Sequence, residues 1–208
     1  MNTRSLTGWL LIAGPVLTFV ILGGLYPALV GGQATPLDSV KEMMAKPELA
    51  RLLLGLGSVV FVSTFIGLAL LARSMQGDDT AGGAYATLAG IISVGLATIG
   101  IAATGLSAGA LQASETSVEI AVNIEAVSAA MFSGLFFFWG ITNILLGVAF
   151  VMQKNLHVVI GWLFVLIGAF IVITVLVDID FPDVVGFAIW IGMSLVTAAA
   201  GVLTLRAK

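Results

Sequence analysis

The chain has 208 residues, 60% of them hydrophobic and only 9% charged, whereas a water-soluble domain is roughly 45–50% apolar and about 25% charged. The 8 Lys and Arg against 11 Asp and Glu leave a net charge of −3 and no basic footprint for nucleic acid. With no cysteine and one histidine, the sequence also excludes disulfides, thiolate or multi-imidazole metal sites and cysteine nucleophiles.

A spanning helix needs about 20 apolar residues to cross about 30 Å of hydrocarbon. Six stretches meet that need: Leu6 to Val30, Leu52 to Ala72, Ala84 to Ala108, Ser117 to Met152, Val158 to Val177 and Val184 to Leu205. They predict an all-α polytopic membrane protein whose six transmembrane helices form one bundle over residues 1–208. The first stretch follows Arg4 as a signal peptide would, but it exceeds the usual h-region of about 7–15 residues. It is therefore read as a span, with Tyr26-Pro27 interrupting its end and Tyr26 at the interface.

In the long link that follows, Leu37, Val40 and Met44 recur at helical spacing, with Asp38, Lys41 and Glu42 between them. Pro36 suits a helix start, so a short amphipathic helix is expected on the outer surface. Pro47 then opens the second span. The third span carries Gly90, Gly95, Gly100, Gly105 and Gly109. Its Ala86-xxx-Gly90 and Gly105-xxx-Gly109 pairs predict close helix packing; a glycine-lined pore is the sharper alternative.

The fourth span opens on Thr116-Ser117-Val118-Glu119, which fits a capping box. From Ser117 to Met152 it would measure about 54 Å at 1.5 Å per residue, well beyond the hydrocarbon. Its first turns should therefore project, placing Glu125 in the headgroup zone or an outer vestibule. The last two spans are joined by Asp178-Ile179-Asp180-Phe181-Pro182-Asp183.

Orientation follows from Lys and Arg near the span ends. Arg4, Arg73, Lys154, Arg206 and Lys208 fall on one side and Lys41, Lys46 and Arg51 on the other. This predicts a multi-pass protein of the cell membrane with both termini cytoplasmic.

Few residues are candidates for chemistry. Glu125, Ser128, Phe132, Phe136, Trp139 and Asn143 share one face of the fourth helix. Glu125 is read as a vestibule carboxylate, solvated or paired with Arg51, with a cation or proton site as the alternative. Asn143, deep in hydrocarbon, requires a partner; a Ser or Thr hydroxyl on a neighbouring helix is expected, and a ligand contact is the alternative. Asp178, Asp180 and Asp183 suit a solvated turn, Asp180 or Asp183 favouring the following helix N-terminus, or a weak cation site. His157 is read as an interfacial residue without a role. Ser58, in Gly55-Leu56-Gly57-Ser58, has no spanning His or Lys to activate it.

Lys46-Pro47-Glu48-Leu49-Ala50-Arg51, Met131 to Gly140, Leu145-Leu146-Gly147 and Gly161 to Gly168 resemble a family of six-helix integral membrane proteins classed as a domain of unknown function. The resemblance covers about half the chain. It implies a six-helix fold and neither an activity nor a functional residue. The family's interhelical links often bear proline, whereas Gln153 to His157 does not.

With no nucleophile–base pair and no ligand set, no enzyme activity, cofactor or metal is expected. A scaffold or accessory subunit is the first functional expectation. Its partners would be the lipid bilayer and other membrane proteins or further copies of itself. The alternative is a small transporter or channel for a cation, proton or small solute, working through the vestibule near Glu125.

Overall fold

The computed structural model describes residues 2–31, 35–77, 79–154, 157–177 and 183–206, without the side chains of 183 and 184. The described residues contain only helices, turns and links, and six helices are long and apolar enough to cross a membrane. The chain is a polytopic helical membrane protein.

The first span comprises α1 (Thr3–Thr18), a π-helix over Phe19–Leu25, and α2 (Tyr26–Leu29). Asn2 caps it, its Oδ1 accepting from Ser5 N at 2.8 Å. Proline 27 does not end this helix. The preceding π-helix widens the backbone instead, and the chain carries on helically to Leu29.

Next comes the short helix α3 (Pro36–Ala45). Thr35 caps it, accepting from Asp38 N at 3.1 Å and donating to Asp38 Oδ2 at 2.6 Å, with Pro36 at the first helical position. Its expected face is partly wrong. Ser39, Val40 and Met43 point into the protein, while Leu37 and Met44, each 41% exposed, point away. So α3 lies across one end of the bundle and packs inward by Val40 and Met43. Lys46 Nζ ties its end to the carbonyl of Leu29.

The remaining spans are α4 (Pro47–Arg73), α5 (Gly83–Ala113), α6 (Val118–Gln153), α7 (Val158–Val177) and α8 (Asp183–Arg206). Each starts or ends within a few residues of its expected limit, apart from α4 and α5. Those two run about one turn further toward the end covered by α3. At the start of α6 the cap is Ser117, whose Oγ accepts from Ile120 N at 3.4 Å. The expected box is thus displaced by one residue, and Glu119 stands in the first turn, where a carboxylate favours the helix dipole.

The spans follow one another around a ring, each beside its neighbour in the chain, and α1 closes the ring against α8. Arg4 Nε donates to Thr204 O at 2.8 Å across that closure, so the two ends of the described chain share one face of the bundle. We call it the terminal face, and the opposite one the α3 face.

Close approach occurs at only some of the expected glycines. A Cβ on Gly105, Gly109 or Gly95 would meet nothing within 4 Å, so these glycines of α5 neither pack a helix nor line the interior. Gly90 and Gly100 do pack: a Cβ on Gly90 would stand 3.3 Å from Ala72 Cβ, and one on Gly100 3.1 Å from the Phe61 ring. The tightest seam lies between α6 and α7. A Cβ on Gly168 would fall 2.5 Å from Gly140 O, and one on Gly147 2.5 Å from Gly161 O.

The ring's middle is filled by aromatics. Phe61 meets Phe65 edge-on at 5.0 Å, Phe65 meets Trp139 at 5.0 Å, and Phe136 stacks on Trp139 at 5.9 Å. These rings close the interior at mid-height and leave a cavity above them, toward α3.

Candidate functional site: a carboxylate in the α3-face cavity

The cavity has a volume of about 490 Å³. Leu22, Tyr26 and Pro27 of the first span form one wall, and Leu54 and Phe61 of α4 another. Thr104 and Ser107 face them from α5, Glu125, Ser128 and Phe132 from α6, and Trp190 from α8. The π-helix immediately precedes Tyr26, which is 4% exposed. The expectation of an interfacial tyrosine is therefore corrected: this ring belongs to the cavity wall.

Glu125 is 6% exposed. It is neither a solvated vestibule carboxylate nor the partner of Arg51. That arginine reaches Glu48 at 3.3 Å and Glu115 at 3.9 Å, on the exposed rim. Glu125 stands in the part of α6 nearest the α3 face, and α3 folds over it, which the length of α6 does not foretell. Ser39 of α3 donates to Glu125 Oε1 at 3.1 Å. Ser107 stands beside the carboxylate, its Oγ 2.9 Å from Ser128 Oγ, and Ser128 also bonds Ala103 O at 2.9 Å. Below them Thr104 Oγ1 and Ser58 Oγ lie 2.8 Å apart. Hydroxyls thus descend one side of the cavity from the carboxylate toward the aromatic floor.

Glu125 Oε2 is buried with no hydrogen-bond partner among the described residues. A buried acceptor left unsatisfied costs about 1–3 kcal/mol, more when charged. Among the described residues, neither Lys nor Arg lines the cavity. At its mouth Gly31 adopts φ +152°, and a Cβ there would overlap the carboxylate of Glu42. A second acidic group therefore lies against the cavity wall, with the Lys46 ammonium at the nearby Leu29 carbonyl outside the lining.

The lower end of the predicted face behaves differently. Trp139 is part of the aromatic floor and Asn143 is buried one turn further along α6; neither lines the cavity. Asn143 Nδ2 points at Met193 Sδ of α8, 3.6 Å away, and Oδ1 has no partner among the described residues. The expected Ser or Thr partner is absent there. A thioether accepts only weakly, so this amide is poorly satisfied. His157 Nδ1 accepts from Val159 N at 3.3 Å at the start of α7. Asp178 and Asp180 lie outside the described residues, as does the side chain of Asp183, whose backbone opens α8.

Sequence reasoning missed Ser39, Ser107 and Tyr26. Ser39 and Ser107 carried one signal: each is a small polar residue at helical spacing among apolar ones, Ser39 beside Val40 and Met43, Ser107 with Ala103 and Ala110.

Comparison with protein-family models, characterised proteins and solved structures finds no match for this chain. The site is therefore read from its own geometry.

Proposed function

We propose that the protein is a small membrane carrier that binds a solute bearing a cationic or hydrogen-bond-donating group in the α3-face cavity. One observation carries this reading: Glu125 Oε2, unpartnered, at a cavity of about 490 Å³ without a basic residue. A donor placed there would satisfy an acceptor the fold leaves open, and intramembrane carboxylates commonly mark solute and ion pathways. A scaffold or accessory subunit, the reading favoured by composition, has no use for that oxygen.

The Lys and Arg distribution supports both termini being cytoplasmic in the cell membrane, with the cavity opening outward. A reporter fused after Lys208 is expected to be active only in its cytoplasmic form.

Guanidinium is a suitable probe: small, permanently charged and rich in N–H donors. Proteoliposomes should accumulate radiolabelled guanidinium, and Glu125→Gln should reduce that uptake at least tenfold, since it preserves size and removes the charge. Absence of uptake by both proteins, with the fold intact, would return the protein to the scaffold reading.

A further inference from the structure

A second cavity of about 500 Å³ lies between α7 and α8. The two helices approach much less closely than the other neighbours in the ring. Ile171, Thr174 and Val175 form its α7 side, and Gly186, Phe187 and Ile189 its α8 side. Since α7 runs toward the α3 face and α8 away from it, the last turns of one and the first of the other place this cleft in the α3-face half, level with the Glu125 cavity. Its walls are mainly apolar. Ser133, Phe136 and Trp190 line both spaces. Trp190 is propped from behind by Phe19, edge-on at 5.6 Å, and packs where a Cβ on Gly23 would stand. Only the side chains of Ser133, Phe136 and Trp190 therefore stand between the polar cavity and a gap whose Val175 and Phe187 are exposed on the lipid-facing surface.

We propose that the solute is a single-chain amphiphile whose cationic head is held at Glu125 while its apolar tail lies in the α7–α8 cleft, so that it enters from the bilayer rather than from water. This rests on the proposed reading of the Glu125 cavity and names its substrate class. Two features of the structure meet in it. The carboxylate with a free acceptor calls for a donor head, and among the described cavities the one that shares a wall with it, through Ser133, Phe136 and Trp190, is the α7–α8 cleft. A short polar solute would leave that gap empty. An acyl chain fills it with the surface that hydrocarbon already favours.

The test uses the full chain in nanodiscs, with guanidinium and octylguanidinium as probes and the thermal midpoint as readout. A Cβ on Gly186 meets nothing within 4 Å and Gly186 does not line the Glu125 cavity, so Gly186→Trp can place its ring in the cleft without replacing a Glu125-cavity residue. Val175→Trp fills the same gap from α7 and serves if the first variant fails to fold. In the native protein octylguanidinium should half-saturate at a concentration roughly tenfold or more below guanidinium. The octyl advantage should vanish in a cleft-filled variant, while guanidinium still shifts the midpoint as before. Equal potency of the two probes, or an octyl advantage surviving both cleft variants, would overturn the lateral route and leave the carrier intact. Failure of guanidinium to shift the native protein, or an identical shift in Glu125→Gln, would remove the carrier reading and this inference with it.

Discussion

Helix α7 has two seams of opposite character. Against α6 it presents Gly161 and Gly168, and the backbones close until a single added carbon would strike a carbonyl oxygen. Against α8 it presents Ile171, Thr174 and Val175 and leaves a gap of about 500 Å³. In a bilayer, hydrocarbon offers no hydrophobic drive for helices to associate, so seams close where small residues allow dense packing. On the α8 side the helices do not approach this closely, and lipid is an acceptable neighbour for the apolar side chains there. One apolar helix can thus be firmly anchored on one side and loose on the other, and openness of the ring becomes a property of a single joint.

The largest effect that would break this contrast is expected at the closed seam. Gly168→Val puts carbon 2.5 Å from Gly140 O and 2.9 Å from Ile144 N, backbone atoms that cannot step aside. A loss of about 3 kcal/mol or more is expected, at the upper end for overpacking, read as a lowered thermal midpoint or loss of the monodisperse peak in detergent. A folded, undiminished Gly168→Val protein would show that the seam is no tighter than its neighbour.

Asn143 sharpens the comparison, because it touches both seams. Its Cβ lies against Gly168, 3.0 Å from where a Cβ there would stand, while its amide reaches Met193 of α8. Replacement by Leu removes a weak N–H···S contact and an unsatisfied oxygen together. The expected change is between zero and about 1 kcal/mol of stabilisation, measured by thermal denaturation. A loss above about 2 kcal/mol would mean that the amide holds α8 in place. The smallest effect belongs to Gly105→Leu, which adds a side chain into open space. Better helix propensity should raise stability by up to about 1 kcal/mol, and destabilisation there would reveal a helix contact at Gly105.

The sequence made the spans legible because an apolar run of about 20 residues has few other uses. It also made the start of α3 at Pro36 and the cap of α6 legible to within a residue, since proline at a first turn and a hydroxyl before an apolar run are local chemistry. Which glycines meet is not local. Gly105-xxx-Gly109 satisfied the motif and faces empty space, while Gly140 and Gly147, with Gly161 and Gly168, repeat at seven residues on both helices and were not singled out. The shared face from Glu125 to Asn143 was readable from periodicity, but its two ends turned out to have different surroundings. α3 covers the first and the aromatic floor cuts off the second. Tyr26 moved from interface to cavity because the π-helix before it lies beyond what a hydropathy pattern encodes.

The ring order also dictates a sequence of events during synthesis. Each span from α4 to α7 can dock on the one before it as soon as it is inserted, so most of the assembly is built from contacts close in sequence. The α1–α8 closure is the exception. Gly8 and Gly201 meet only when α8 has emerged, and Arg4 waits for Thr204 across 200 positions. Until then one side of α1 stands unmatched in the bilayer, exposed to strangers as much as to its own chain. A ribosome stalled before α8 would leave an open crescent rather than a ring, and membrane quality control would meet this protein in that form.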